Sequence, residues 1–168
     1  MNKKIIAVII ILCIATYYLF PSEEKKVLNA INSVKTITEI QNKEHPITIA
    51  VKIKKILLKT TSNFKGKYRY YNKQADLTER TLEGQESLKT GLLYVFNKLM
   101  RLDISLENKK VAINGDTASV TFQAKGVAFE AGSQKRHEGK VDIEVQLKKR
   151  DGDWLITLVE QKGELYVR

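Results

Sequence analysis

Three regimes of hydrophobic patterning follow one another along the 168 residues. Residues 5–20, IIAVIIILCIATYYLF, are apolar without a charge. From residue 22 to about 100, apolar positions recur mostly at helical spacing. Ser22 suits an N-cap and Glu23 and Glu24 suit a first turn. Val27, Leu28, Ile31 and Val34 then predict a first helix from about 23 to 41. His45-Pro46 opens a segment with two readings. Ile47, Ile49, Val51 and Ile53 alternate as in a strand, yet carried on to Leu58 they form a wide apolar helix with Thr48, Lys52, Lys55 and Lys59 as its polar stripe. Length favours the helix, ending near Ser62-Asn63. In FKGKYRYYN, Gly66 reads as a turn and Tyr68, Tyr70 and Tyr71 as a short aromatic strand. Thr81 is the expected cap of a third helix, with Leu88, Leu92, Val95, Phe96 and Leu99 on one face. Gly84 and Gly91 weaken that helix without breaking it.

From Asp103 the period becomes two. ISLENKKVAI is followed by NGD, a strong hairpin signal. Ala118, Val120 and Phe122 share the next strand's apolar face, and Gly126 reads as a bulge. A turn at AGSQ leads to GKVDIEVQLKK, with Val141, Ile143, Val145 and Leu147 on one face and Asp142, Glu144, Gln146 and Lys148 on the other. RDGD turns the chain again. Trp154, the only tryptophan, then shares one side of the last strand with Ile156 and Leu158, and Leu155 and Val159 take the other. Three helices and one short strand followed by a four-strand antiparallel meander predict an α+β fold, with the helices on one face of the sheet.

The apolar run has its own logic. Sixteen residues make roughly 24 Å of helix, short of a hydrocarbon core of about 30 Å. Lys3 and Lys4 can snorkel on one side and Tyr17 and Tyr18 suit the opposite interface, so a thin bilayer is spanned. The expected organisation is a short cytoplasmic end at 1–4, a transmembrane anchor or uncleaved signal at 5–20, and one exported domain at 22–168. A cleaved signal peptide with its cut after Ala15 and a buried core helix are the other readings. The charge rule puts Lys3 and Lys4 in the cytoplasm and the domain outside a bacterial cytoplasmic membrane, as a single-pass protein. Cys13 is the only cysteine, so the exported domain holds no disulfide and no cysteine metal site. The formal charge of +10 suits anionic lipid or an acidic protein partner as well as ordinary solvation.

The TLEGQESLKTGL helix start, the VAINGDTASVTF hairpin and the closing DGDWLITLVE strand together resemble the nuclear transport factor 2-like superfamily, also called the SnoaL-like or ketosteroid-isomerase-like fold. The likeness covers roughly residues 22 to 162. It implies three helices packed on a strongly bent antiparallel sheet, a cone-shaped α+β barrel with an apolar cavity. The cavity-lining residues expected are Tyr68, Tyr70, Phe96, Phe122, His137, Val141, Ile143, Trp154 and Ile156. In this superfamily one cavity serves isomerases, dehydratases, ligand binders and scaffolds, so the fold alone leaves function open.

Enzymes of the superfamily place an Asp or His in the cavity as a proton shuttle. His45, before a proline at a helix start, reads as a capping or surface residue. His137 has the parity of Val141, Ile143, Val145 and Leu147, so it faces the concave side if Gly139 is not a bulge. It is then either an acid–base group or a half-exposed rim residue beside Arg136 and Glu138. Glu160 has the parity of Trp154, Ile156 and Leu158. Facing inward it would be a buried base with a raised pKa; if the strand frays after Leu158 it is solvated. Asp142 and Glu144 belong to the outer face, paired with surface lysines. Lys52, Lys55 and Lys59, with Lys65, Lys67 and Arg69 close in sequence, form a candidate basic surface. Tyrosines interleaved with Lys67 and Arg69 also occur in single-strand binders, but an exported location makes a nucleic-acid partner unexpected. No GxGxxG, P-loop, GxSxG or HExxH motif is present, and neither cofactor nor metal is expected.

The leading expectation is thus a membrane-anchored extracytoplasmic binding or scaffold module without chemistry, with a homodimer through the outer sheet face as one mode of association. The first alternative is a binder of small apolar ligands, or a lyase or isomerase using His137 or Glu160. A second follows from the architecture, since one span followed by an exported domain of this fold looks like the periplasmic scaffold subunits of type IV secretion systems.

Overall fold

The computed structural model describes residues 22–71, 77–133 and 135–167, without the side chains of 70, 71 and 164–167. The apolar run at 5–20, with the anchor expected there, lies outside the described residues. Among those residues no helix is long and apolar enough to cross a membrane.

Helix α1 (Glu23–Thr38) starts where Ser22 Oγ accepts the backbone N–H of Lys25 at 3.2 Å. Helix α2 (Pro46–Leu57) is capped by His45, whose Nδ1 accepts from the Ile47 N–H. Strands β1 (Thr60–Tyr71) and β2 (Leu77–Glu83) form a hairpin ahead of α3 (Gly84–Lys98). Then come β3 (Leu99–Asn114), β4 (Thr117–Glu130), β5 (Arg136–Arg150) and β6 (Asp153–Val167). The sheet is curved, with strand order β2-β1-β6-β5-β4-β3.

Several expectations are corrected. The sheet is mixed rather than antiparallel, because β1 runs parallel to β6. Two strands, not one, separate α2 from α3. β2 was hidden by its composition, since LTERTLE is an edge strand with one strong apolar residue turned inward, Leu82. Thr81 therefore pairs with Lys67 inside β2 and caps nothing; α3 begins three residues later, at Gly84 with φ +74°. Ser62 and Asn63 lie within β1, because pairing with β6 extends that strand back to Thr60. Gly66 is not a turn. A Cβ there would stand 3.3 Å from the Phe64 ring and 3.5 Å from Leu82 Cβ, so glycine lets the β1–β2 hairpin lie close over Phe64. Gly126 is not a bulge either, since its register with Ile104 and Gly139 is unbroken.

The core follows the alternation. Ala118, Val120 and Phe122 of β4, Val145 and Leu147 of β5, and Trp154 and Ile156 of β6 are buried on the concave face with Phe64 of β1. Val27 and Ile31 of α1 pack into the same cluster. Burying each large apolar side chain contributes roughly 1.5–3 kcal/mol. A second cluster joins Ile49, Ile53 and Ile56 of α2 to Phe96 of α3 and to Ile40. Ile40 exchanges two backbone hydrogen bonds with Leu102, 2.9 and 2.8 Å, and so partly covers the edge of β3.

Candidate functional site

Two register shifts decide which polar groups reach the concave face. In β3, one extra residue at the Asn108 bulge, φ +54°, moves the inward set from Leu102, Ile104 and Leu106 to Val111 and Ile113. In β6, Thr157 is the extra residue: Ile156 opposes Leu147, but Leu158 already opposes Gln146. Beyond it the parity is reversed. Val159 faces Val145 and packs on the core, while Leu158 and Glu160 turn outward. Glu160 is therefore not a cavity base. Its carboxylate lies 2.7 Å from Lys162 Nζ and 4.0 Å from Lys67 Nζ. Lys162, and more weakly Lys67, hold the Glu160 carboxyl below the ordinary carboxylate range, the opposite of what a buried base would show. Glu144 on β5 joins the same outer network through Lys162 at 3.1 Å.

His137 does keep the inward parity. It opposes Ala128, and the β4–β5 register runs unbroken from Phe129–Arg136 to Thr117–Lys148. Its Nε2 lies 3.0 Å from Glu130 Oε1, and Ser133 Oγ donates to Glu130 Oε2 at 2.9 Å. The hydroxyl of Ser133 and then the imidazole lower the carboxyl of Glu130, so Glu130 is the charged, acceptor member of the pair. The pair stands at the lip of a shallow cleft of about 350 Å³. Its floor is nearly bare of side chain, because Gly126 and Gly139 are direct cross-strand partners flanked by Ala124 and Ala128. Leu102, Ile104 and Val141 supply apolar walls.

The other expected lining residues divide. Phe122, Trp154 and Ile156 are buried within the concave core, and Ile143 packs against it. Phe96 is buried in the second cluster, among the helices, because its place on α3 faces α2. Tyr68 has 40% of its surface exposed, and the Tyr70 side chain lies outside the described residues. Sequence reasoning missed Glu130, which patterning treats as the ordinary end of a strand; only the hairpin return brings His137 opposite.

The basic surface also breaks up. Lys52 turns inward: its ammonium pairs with Glu44, donates to the Glu39 carbonyl and lies 5.7 Å from the Phe96 ring centre. Lys67 and Arg69 are matched by Glu160 and Glu79. Lys55 and Lys65 are exposed and Lys59 is half-buried. The outward face of α2 instead presents Ile47, Val51 and Leu58 beside Lys54 and Lys55. Among the described residues, no group of His, Cys, Asp and Glu side chains is arranged to hold a metal ion.

No family model matches this chain, and no curated protein matches its sequence. Solved structures do match. A protein of Novosphingobium aromaticivorans, provisionally named a scytalone dehydratase, superposes with a TM-score of 0.67 at 9% identity over 86% of each chain. A type 2 hexachlorocyclohexane dehydrochlorinase gives 0.58 at 9% identity over 83% of this chain and 87% of its own. A nuclear transport factor 2-like protein of unknown function from Pseudomonas putida gives 0.58 at 11% over 82% and 84%. At such identities the likeness concerns backbone alone. Three helices, a curved six-strand sheet and these superpositions agree: the chain has the nuclear transport factor 2-like fold.

Proposed function

We propose that this chain is a membrane-anchored, extracytoplasmic binding module that performs no chemistry. The observation that carries this is the outward turn of Glu160. Of the two acid–base candidates, one is held ionised on the convex face, and α1 packs Val27 and Ile31 onto the concave core where substrate would otherwise sit. Proton transfer needs acid and base groups converging on a reacting atom. The uncharged run at 5–20, preceded by Lys3 and Lys4, supports anchoring in a bacterial cytoplasmic membrane with the domain outside. The apolar stripe Ile47, Val51 and Leu58, edged by Lys54 and Lys55, suits a membrane surface or an acidic protein partner. The convex face, with its mixed ladder of Lys67, Glu160, Lys162 and Glu144, suits pairing with a second copy. A place among secretion scaffolds is one form this module could take. The test is fractionation of the full chain with salt and carbonate washes, then protease treatment of spheroplasts. Retention in the membrane with a protease-accessible domain is expected; a soluble or protected chain overturns the reading.

A second reading rests on the His137–Glu130 pair at the cleft lip. Two of the fold neighbours carry dehydratase or dehydrochlorinase names, and both name eliminations, reactions in which a base removes a proton. In that reading His137 is the base, Glu130 orients its ring, and the small apolar cleft takes the substrate. Turnover of an apolar elimination substrate that is lost in His137→Gln, at unchanged melting temperature, would establish it.

A further inference from the structure

A different cleft, on the opposite face of the sheet, belongs to no reading above. It measures about 370 Å³ and lies between the start of β1 and the β5–β6 hairpin. Two irregularities open it. Between Thr60 and Lys65, β1 spends four residues against one of β6, so it arches away. Thr157, the extra residue of β6, lies beneath the arch, its hydroxyl donating to the Gln146 carbonyl. The walls are Thr61, Ser62 and Asn63 on one side and Lys148 and Arg150 on the other. The Thr61 hydroxyl donates to the Ile156 carbonyl at 3.5 Å, so the Ser62 hydroxyl and the Asn63 amide are the donors that face two cations across a gap of small-ligand size. Asp151, 3.8 Å from the Arg150 guanidinium, is almost fully exposed and competes weakly, and Asp153 is the cross-strand partner of Arg150.

The cleft also has a definite place relative to the start of the domain. Lys149, which lies between those two cations and borders the cleft, pairs with Glu23 at 3.0 Å, and Trp154 bonds the same carboxylate. The first turn of α1 is therefore clamped to this end of the sheet. Phe20, the last residue of the apolar run, precedes the Ser22 cap by two positions. The end of α2 is here as well, since Ile156 N–H donates to the Lys59 carbonyl at 2.8 Å.

The geometry points to this cleft as a site for the phosphate headgroup of an anionic lipid, with the β5–β6 hairpin end of the domain turned toward the membrane. The inference rests on the anchored reading and deepens it. In the anchored reading residues 5–20 end three positions before Glu23, which would bring this end of the sheet, with Lys148 and Arg150, toward the headgroups, whose charge acts over about a Debye length, roughly 8–10 Å. A guanidinium and an ammonium opposite neutral donors make a recognised combination for phosphate oxygens. Free phosphate esters share that chemistry and are separated from lipid below.

The test uses the full chain in micelles of an uncharged detergent. Short-chain phosphatidylglycerol, short-chain phosphatidylcholine and inorganic phosphate are titrated in turn, and the amide signals of Ser62, Asn63 and Arg150 are followed by NMR. Phosphatidylglycerol is expected to shift them saturably, with inorganic phosphate competing. Lys148→Gln with Arg150→Gln should weaken binding at least about 10-fold, while Lys110→Gln with Lys135→Gln, outside the cleft, should not. The amide spectrum itself reports whether each variant is folded. Equal binding of phosphatidylcholine, unchanged affinity in the cleft variant, or inorganic phosphate binding as tightly as phosphatidylglycerol each overturns the assignment. Fractionation is read separately. A chain that stays in membranes but fails the titration refutes the cleft alone; a chain that leaves them refutes the anchor.

Discussion

Trp154 Nε1 donates a 3.0 Å hydrogen bond to the carboxylate of Glu23, joining residues 131 positions apart. The indole's wide apolar surface is buried with the core while its N–H reaches the first turn of α1. Glu23 also accepts from Lys26 at 2.8 Å and pairs with Lys149 at 3.0 Å, and the Lys149 ammonium lies 5.9 Å from the indole centre. One carboxylate thus gathers the start of the domain, the end of β5 and the start of β6.

Trp154→Ala should destabilise the fold by about 3–5 kcal/mol, since it removes a large buried ring from a packed core. Trp154→Phe keeps much of the apolar surface and loses the donor, so its loss should be smaller. Denaturant midpoints of the two variants measure the difference. A Trp154→Ala loss under about 1 kcal/mol would deny the ring its core position.

Acid should release the Glu23 clamp. Hydrogen bonds from Lys26, Lys149 and Trp154 lower its carboxyl from 4.5 to about 2. A folded-state pKa below the unfolded one means the stabilisation is complete above about 4.5 and is lost as pH falls toward about 2. Glu130, Glu144 and Glu160 are lowered too and act with the same sign. Thermal midpoints measured through that window should fall, and less steeply in Glu23→Gln. Parallel slopes for the two proteins would show that Glu23 plays no part.

Deleting Thr157 should leave the faces of β6 as they are. Removal of the extra residue sets Leu158 directly after Ile156, opposite Gln146 as before, so Leu158 and Glu160 stay outward and Val159 stays in the core. Cooperative melting is expected for the deletion, with a loss of at most about 3 kcal/mol from closing the bulge, against a shift of at most about 1 kcal/mol for Thr157→Ala. Loss of cooperative melting in the deletion variant would mean that the bulge is needed to seat β6 against its neighbours.

Lys52 should behave as a structural residue. Its side chain and that of Glu44 are only 20% and 12% exposed, and Glu44 Oε2 is buried without a hydrogen-bond partner. Lys52→Gln should cost roughly 1.5–3 kcal/mol, because a half-buried carboxylate loses its cation. Lys55→Gln, at an exposed position, should cost less than about 0.5 kcal/mol. Equal melting of the two would return Lys52 to the solvent.

The amino-acid sequence by itself determined every element whose signal is local and repeated. The 3.6 period of Val27 and Ile31 and of Leu88, Leu92 and Phe96, and the period-two faces of Val120 and Phe122 and of Val145 and Leu147, are each written in one stretch of chain. The caps at Ser22 and His45 are equally local. What only the tertiary structure decided depends on pairing. β2 has little apolar pattern of its own and exists through its register with β1. The parallel contact of β1 with β6 joins segments some ninety residues apart. The side on which Glu160 lies turns on one residue, Thr157, inserted against β5, and alternation counted from Trp154 cannot see an insertion. For the same reason Glu130 becomes the partner of His137, and Lys149 the partner of Glu23, only when the sheet closes. A strand's face follows from its own sequence up to the first bulge; beyond that it is set by the neighbour that the bulge accommodates.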